Sequence, residues 1–559
     1  MATAPARSVH ATHVVANQSE PLADYNVFDS DRVLVEAVSR EGGDFQVDLV
    51  REVGALAGRA ETIELGRLAN ENEPKLRTHD RFGNRVDEVE FHPSWHELMS
   101  MHVSHGLHAL PWREPEPGAH VARAAGFMCL SQAEAGTGCP ISMTYSVIPA
   151  LRAQPEVAAE WEPRFTSLDY DPRIVPSPGK TGALSGMAMT EKQGGSDVRA
   201  NTTVAVPLNG GGPGAEYEIT GHKWFCSAPQ CDAFLVLAQT ESGVSCFLLP
   251  RFTPDGERNR FHIQRLKDKL GNRSNASSEV EFRDAWARMI GEEGRGVATI
   301  IEMVNHTRLD CTTGSAAGIR AGTAQAIWHA QHRSAFGKRL VEQPLMQNVL
   351  ADLAIESEAS TTAALWLARQ FDEAHAGDER ALLVRRIATP VLKYWTCKRA
   401  PMHAVECLEC FGGNGYAEES GMPRLFRESP LSSIWEGSGN VQALDVLRAM
   451  IKSPEATGAF ADEVGQAAGA EARLDRFAAA LAEDLRDTTE LEFRARGLVE
   501  RMAVALQASL LVRHGDQAVA DAFCATRLDG DRGQAFGTLP ASVAATAPAI
   551  VERAAPAVA

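Results

Sequence analysis

Glu436 stands in Ile434–Asn440, IWEGSGN, as a lone carboxylate between Trp435 and a flexible Gly-Ser-Gly. A carboxylate beside an aromatic loses hydration, its pKa rises toward working pH, and it becomes a candidate general base. Arg308, in HTRLD, is a candidate charge partner. A second stretch, Met189–Asp197 (MTEKQGGSD), holds two adjacent glycines between the hydroxyls of Thr190 and Ser196. Such a loop can come close to a ligand and wrap a flat polar ring or a phosphate with backbone N–H groups. In His222–Ser227 (HKWFCS), Phe225 can cover a ring face and the Ser227 hydroxyl can bind a ring heteroatom. Arg333–Gly337 (RSAFG) offers a cation suited to a pyrophosphate. Phe411–Tyr416 (FGGNGY) offers consecutive glycines beside a helix, where backbone amides can reach a phosphate. Read singly, each has an ordinary alternative: a surface glutamate, a turn, core aromatics, a solvated arginine, a helix cap.

Two further constellations point to no metal. Cys407 and Cys410 form a C-x-x-C within a helical stretch, with no second pair and no His-x-x-His nearby. His96, His102, His105 and His108 fall at three- and six-residue spacings, but no carboxylate pair accompanies them. They read as one half-buried helix.

The elements that must position these groups come in an uncommon order: helical, then β, then helical. Residues 1–180 read as an N-terminal helical domain, with apolar residues at three- and four-residue spacing in Val33–Ser39, Leu49–Leu68 and Val121–Ser131. Residues 181–290 turn to short segments rich in Val, Thr, Phe and Leu between Gly/Pro/Asn clusters, an antiparallel, barrel-like β domain of six or more strands. Residues 291–453 predict a helical bundle from Met303–Ser334, Leu345–His375 and Ala381–Phe411, with Pro390 and Pro401 as kinks or stops. Residues 454–559 form an extra C-terminal helical domain, Ala-rich and Lys-free, with ten Arg against sixteen Asp and Glu. Its last twenty residues, rich in Ala and Pro, are expected to be disordered. The fold class is therefore α+β.

The chain of 559 residues is too long for one core, so three or four domains are expected. No run of 18 apolar residues occurs, which excludes an ordinary transmembrane helix. The N-terminus has no continuous apolar core and reads as a disordered tail rather than a signal peptide. Ten scattered cysteines without framework spacing point to a reduced, cytoplasmic protein. A net charge of −18 argues against a surface that binds nucleic acid throughout, and leaves room for a local basic patch.

Taken together and in order, the motifs resemble those of the acyl-CoA dehydrogenase family. MTEKQGGSD resembles its M-T-E-x-x-x-G-S-D loop, GHKWFCS its G-x-K-x-W-I-T segment, and DKLGNRSNAS its K-L-G-x-R segment. RSAFGKRL resembles R-x-x-F-G-x-x-L, FGGNGY matches G-G-x-G-Y, and IWEGSGN resembles I-Y-E-G-T. GRLANENEP, MTEKQGGSDV, RLKDKLGNRSNAS and SIWEGSGN, with the helical tail, are similar to the AidB branch, the alkylation-response flavoproteins. The resemblance runs from about Asn17 to about Arg532.

It implies a homotetramer with non-covalent FAD. Met189, Thr190 and Ser196 would bind the flavin, and Phe225, Cys226 and Ser227 would flank its ring. Arg333 and Ser334 would meet the pyrophosphate of a cofactor held mainly by a neighbouring subunit. Gly412 and Gly413 would contact its ADP part, and Ser438 and Asn440 its other end. Glu436 would take the α-proton of an acyl-CoA as the β-hydrogen leaves as hydride. Thr307 falls where another branch carries its base, so that position is empty here. The branch also implies weak dehydrogenase activity and duplex DNA binding, with Arg448 matching a basic position. Arg473, Arg476, Arg494, Arg496 and Arg501 stand at spacings that could share helix faces. Phe225 replaces the usual Trp, Ser438 the usual Thr, and Lys192-Gln193 the usual Pro-containing loop. Three readings follow in order: an AidB-type flavoprotein that binds DNA and protects it from alkylation, an ordinary metabolic acyl-CoA dehydrogenase, and a scaffold that keeps FAD for structure alone.

Overall fold

Residues 12–558 are described by a computed structural model, so the first eleven residues of the expected N-terminal tail lie outside the described part. The N-terminal layer is built from helices Arg32–Arg40, Val47–Ala57, Ala60–Glu71, Pro93–Ser104, Ala119–Ala133 and Gly138–Leu151. The periodic stretch Leu49–Leu68 is two helices, not one. It breaks at Gly58, where a Cβ would lie 1.8 Å from the Tyr25 carbonyl oxygen, so only glycine fits the crossing chain. A hairpin of β1 (Lys75–His79) and β2 (Arg85–Glu90) interrupts this helical layer. Its charged, half-exposed strands hide it from a hydrophobicity reading, and it is fixed by tertiary bonds, from Arg251 to the Asp87 carbonyl and from Arg85 to the Ile263 carbonyl.

The central sheet contains β3 (Ser185–Ala188), β4 (Val204–Pro207), β5 (Glu216–Ser227), β6 (Ala233–Thr240), β7 (Gly243–Pro250), β8 (Phe261–Leu266) and β9 (Ser277–Ile290). Strands β6, β7, β9, β5 and β4 pair in a closed ring, β8 adds to β9, and β3 adds to β6. The sheet is mixed rather than antiparallel throughout, because β3 runs parallel to β6 and β4 meets β6 in parallel at Val204 and Gln239. Ala233–Ala238 are all buried, as a strand covered on both faces must be.

Helices Gly296–His332, Pro344–His375 and Glu379–Cys410 form the bundle. Gly296–His332 packs against both partners and against Ala119–Ala133 and Gly138–Leu151. Pro390 and Pro401 both lie inside Glu379–Cys410 and neither ends it; packing on the neighbouring helices holds the chain helical where a backbone bond is missing. The C-terminal layer, from Pro454–Gly465 to Leu491–His514, lies against this bundle. The expected disorder of the last twenty residues is not seen over the described part, 540–558: Ala547–Ala554 is a helix that buries Ile550 and Val551 on Pro344–His375. Their low sequence complexity concealed a small apolar face.

Candidate active site

A cavity of about 630 Å³ opens between the barrel, the N-terminal layer and the bundle, and its wall includes Thr190, Ser196, Phe225, Ser227, Thr307 and Glu436. Met189 and Ser438 lie on the same wall. Residues far apart in sequence, Met189 and Ser438 among them, thus share one space.

The loop after β3 is fastened by Glu191. Its carboxylate is buried and accepts hydrogen bonds from the Thr202 and Thr203 amides and from Lys223 Nζ at 3.0 Å. Burial alone would raise its pKa; the amide donors and the Lys223 charge outweigh it and hold the carboxyl at about 2. Gly195 is required beside Thr190, since a Cβ there would lie 2.4 Å from Thr190 Oγ1. On β5 a bulge falls between Lys223 and Cys226 in the pairing with β9. It turns Phe225 toward the cavity, leaving the ring 51% exposed while its neighbour Cys226 is fully buried. Cys226 is therefore not on the cavity wall; its carbonyl accepts from Ser278 Oγ inside the sheet.

Glu436 adopts φ +57°, a left-handed conformation unusual for a residue with a side chain. Three side chains hold the turn: Lys393 Nζ donates to the Trp435 and Gly437 carbonyls, Gln442 Nε2 to the Glu436 and Gly437 carbonyls, and Arg308 Nε to the Glu436 carbonyl. Burial pushes the Glu436 carboxyl above the ordinary glutamate range, against the opposing pull of Thr307, Lys393 and Arg308. Arg308 is not the carboxylate's ion-pair partner. Its guanidinium pairs with Asp445 at 2.7 Å, and it touches Glu436 through the backbone. Thr307 Oγ1 lies 2.7 Å from Glu436 Oε2 and 3.0 Å from the Val304 carbonyl. One hydroxyl proton faces two acceptors, so both contacts are made together only when Glu436 is protonated and donates.

The remaining motif residues gather elsewhere. Arg333, Gly412 and Gly413 line a second cavity of about 270 Å³, with His329 and Asn414. Ser334 and Asn440 are exposed and line neither cavity. The N-terminal segment is not a free tail from Asn17 onward. Asn17 Nδ2 donates to the Ser334 carbonyl, its Oδ1 accepts from the Ser334 amide, and its carbonyl accepts from Arg333. Arg448 is exposed and makes no ion pair among the described residues. The tail arginines are different. Arg473, Arg476, Arg494 and Arg501 each pair with a carboxylate of the same domain, and Arg496 bonds to the Tyr394 hydroxyl. Lys393 and Gln442, which shape the Glu436 turn, carried no motif signal, because a donor to a backbone carbonyl needs no fixed spacing.

The chain matches the family model for the adaptive response protein AidB N-terminal domain over residues 17–172. It also matches the acyl-CoA dehydrogenase middle domain over 186–285 and C-terminal domain over 294–451. It is 44% identical over 520 residues to AidB of Escherichia coli (strain K12), covering 93% of this chain and 95% of that protein. The solved structure of Caenorhabditis elegans ACDH-11 in complex with C11-CoA is similar at TM-score 0.81 and 27% identity, over 98% of this chain and 95% of that one. A glutaryl-CoA dehydrogenase from Mycobacterium smegmatis in complex with FADH2 shares the fold at TM-score 0.53 and 21% identity, over 64% of this chain and 87% of that one. On the family models and the identity to AidB, this chain belongs to the AidB branch of the acyl-CoA dehydrogenase family, a family of FAD-dependent oxidoreductases.

Proposed function

We propose that this protein removes the α-proton and β-hydride of an acyl-CoA thioester, with FAD held in the larger cavity and Glu436 as base. The observation that carries this reading is one wall bearing both a buried carboxylate of raised pKa and a hydroxyl- and glycine-lined loop facing an exposed aromatic ring. The residues present fit a flavin. Thr190, Ser196 and Ser227 supply hydroxyls, Phe225 supplies a stacking face, and Gly195 leaves room for close approach. FAD, when bound, supplies the hydride acceptor. Glu436 receives the α-proton on a carboxylate whose basicity burial has raised. Thr307 then holds the protonated acid, and the three donors to the Glu436 turn keep it in place. C11-CoA bound to ACDH-11 supports an acyl-CoA as the substrate class.

Arg333, Gly412 and Gly413 line a separate cavity, which accords with the family arrangement in which a FAD meets these residues on a second copy. This supports the homotetramer. The ten cysteines, all buried and unpaired, support a reducing, cytoplasmic setting, and among the described residues no helix is long and apolar enough to cross a membrane.

The test is an anaerobic titration of the yellow protein with straight and branched acyl-CoAs while flavin absorbance is followed. Rapid bleaching that Glu436→Gln abolishes is expected; undiminished bleaching by that variant removes Glu436 from the role.

A second activity, duplex DNA binding linked to alkylation protection, is supported by the AidB relationship and by one surface feature. Arg448 and Lys452 stand one helical turn apart, both exposed. With Arg473, Arg476, Arg494 and Arg501 paired with carboxylates, this patch is the proposed contact. Duplex binding across a salt series should weaken in a protein carrying Arg448→Ala and Lys452→Ala, with the salt slope reduced by about two. No duplex binding by the intact protein even at low salt would sink the idea.

A further inference from the structure

Lys269 lies on the wall of the larger cavity, in the segment that leads from β8 into β9. Its Nζ donates to the Asn275 carbonyl at 2.5 Å and to Ser277 Oγ at 3.0 Å. Ser277 Oγ in turn lies 3.4 Å from Ser227 Oγ, and the two serines face each other in the β5–β9 ladder. Lys269 makes no ion pair among the described residues, although Glu73, Glu134 and Glu428 all lie close enough to favour its charge. Burial opposes that charge and brings the ammonium down to about 8. The Cys139 thiol, on the same wall, stands beside Lys269, Ser227 and Asn275, and burial pushes it up to about 12, so it stays a neutral S–H and offers Ser227 only a weak acceptor.

We propose that Lys269 and Ser277 are positioning residues that fix Ser227 as a hydrogen-bond donor to the flavin ring and raise the flavin's reduction potential. The direction follows from donor and acceptor counting. An ammonium only donates, so Ser277 Oγ must accept from Lys269. The single Ser277 proton is then free to point along the strand pair to Ser227. Ser227, accepting it, turns its own proton outward, into the cavity. Each hydroxyl in such a chain is polarised by the one behind it, and the cation at its far end strengthens all of them. A donor backed by a positive charge interacts better with an electron-rich reduced ring than with an oxidised one. Lys269 and Ser277 do not touch the ring; both act through Ser227.

This inference rests on the reading that FAD occupies the larger cavity, and the experiment separates the two. Flavin-loaded wild-type protein, Lys269→Met, Ser277→Ala and Ser277→Thr are compared by visible spectrum and by equilibration against a redox dye. Lys269→Met and Ser277→Ala should each lose about tenfold in preference for the reduced over the oxidised flavin, a shift of about 30 mV to more negative potential for a two-electron couple. Ser277→Thr keeps the hydroxyl and should restore the wild-type potential. An unshifted potential in Ser277→Ala overturns the chain, whatever Lys269→Met does, because charge acting through space needs no serine. If Lys269→Met does not fold, the two Ser277 variants decide. Wild-type protein that retains no FAD overturns the cofactor reading and the chain with it; retained FAD with unshifted variants overturns the chain alone.

Discussion

At Glu436 a base must be two things at once: basic enough to take a proton and fixed enough to meet it. Basicity comes from burial, which raises the carboxyl above the ordinary glutamate value. Fixation comes from a strained φ of +57° that Lys393, Gln442 and Arg308 hold through backbone carbonyls. Because the shift is upward, the carboxylate form needed for proton abstraction appears only above the raised pKa. The acid limb of acyl-CoA-dependent flavin reduction should therefore lie above the usual glutamate range. It should vanish with Glu436→Gln, which should slow reduction by about 10²–10⁴-fold, as loss of a general base does. A limb at the ordinary value in stopped-flow pH profiles would remove burial as the cause. Of this site, the carboxylate and its aromatic neighbour were legible in IWEGSGN, since both lie within one heptapeptide. The hydroxyl that meets it was not, because Thr307 is 129 positions away and was read as an empty place. Arg308 was legible as a nearby charge but not as a partner of Asp445.

The helix Gly296–His332 sets the shape of the cavity. Thr307, Cys311, Gly314, Gly318, Ala321 and Gln325 all line it, at spacings of three and four that define one face. From Thr307 to Gln325 that face runs about 27 Å at 1.5 Å per residue. Its small residues keep the space open: a Cβ at Gly318 would be 3.9 Å from Leu425, in ordinary contact, while anything larger must enter the cavity or displace Leu425. Gly318→Leu should therefore preserve flavin bleaching by short acyl-CoAs and abolish it with long ones. Equal loss for every chain length would place Gly318 in structure rather than in the acyl channel. Helix 296–332 was legible from periodicity to within a turn at its C-terminal end, and its small face was present in the letters. What the letters lacked was the opposite wall, which comes from Ala400, Ala404 and Leu425 on other elements. The β1–β2 hairpin and the parallel pairing of β3 escaped for the same reason, as both are decided by neighbours rather than by their own residues.

Across the whole molecule, charge complementarity joins the C-terminal layer to the bundle. Arg527 pairs with Asp352 and Glu356 of the bundle, where Arg399 also pairs with Glu356, and Arg553 pairs with Glu358 of the bundle and with Glu36 of the N-terminal layer. An acidic tail was legible in composition, and so was the suggestion that its arginines might share a face. The arginines that do bridge to other layers, Arg527 and Arg553, have partners up to 517 positions away that could not be read from spacing. Asp352 is fully buried and Arg527 nearly so, so removing the cation leaves the Asp352 carboxylate without a charge partner out of reach of water and Glu356 with Arg399 alone. Arg527→Met should cost about 3–5 kcal/mol, the usual penalty for breaking a buried pair on one side. The pH dependence has a defined sign. Burial would raise the Glu356 pKa, but Arg399 and Arg527 outweigh it and hold the carboxyl at about 2. A depressed carboxylate stabilises the fold above its unfolded pKa, and that contribution is lost as pH falls toward 2. Wild-type thermal stability should therefore drop between about pH 4.5 and 2, and Arg527→Met should flatten that drop as it lowers the melting temperature at neutral pH. Calorimetry across that range reads both effects in one series. A variant that melts like the wild type at pH 7 would mean the tail is held by its apolar contacts alone, with Leu506, Leu510 and Ile550 carrying the interface.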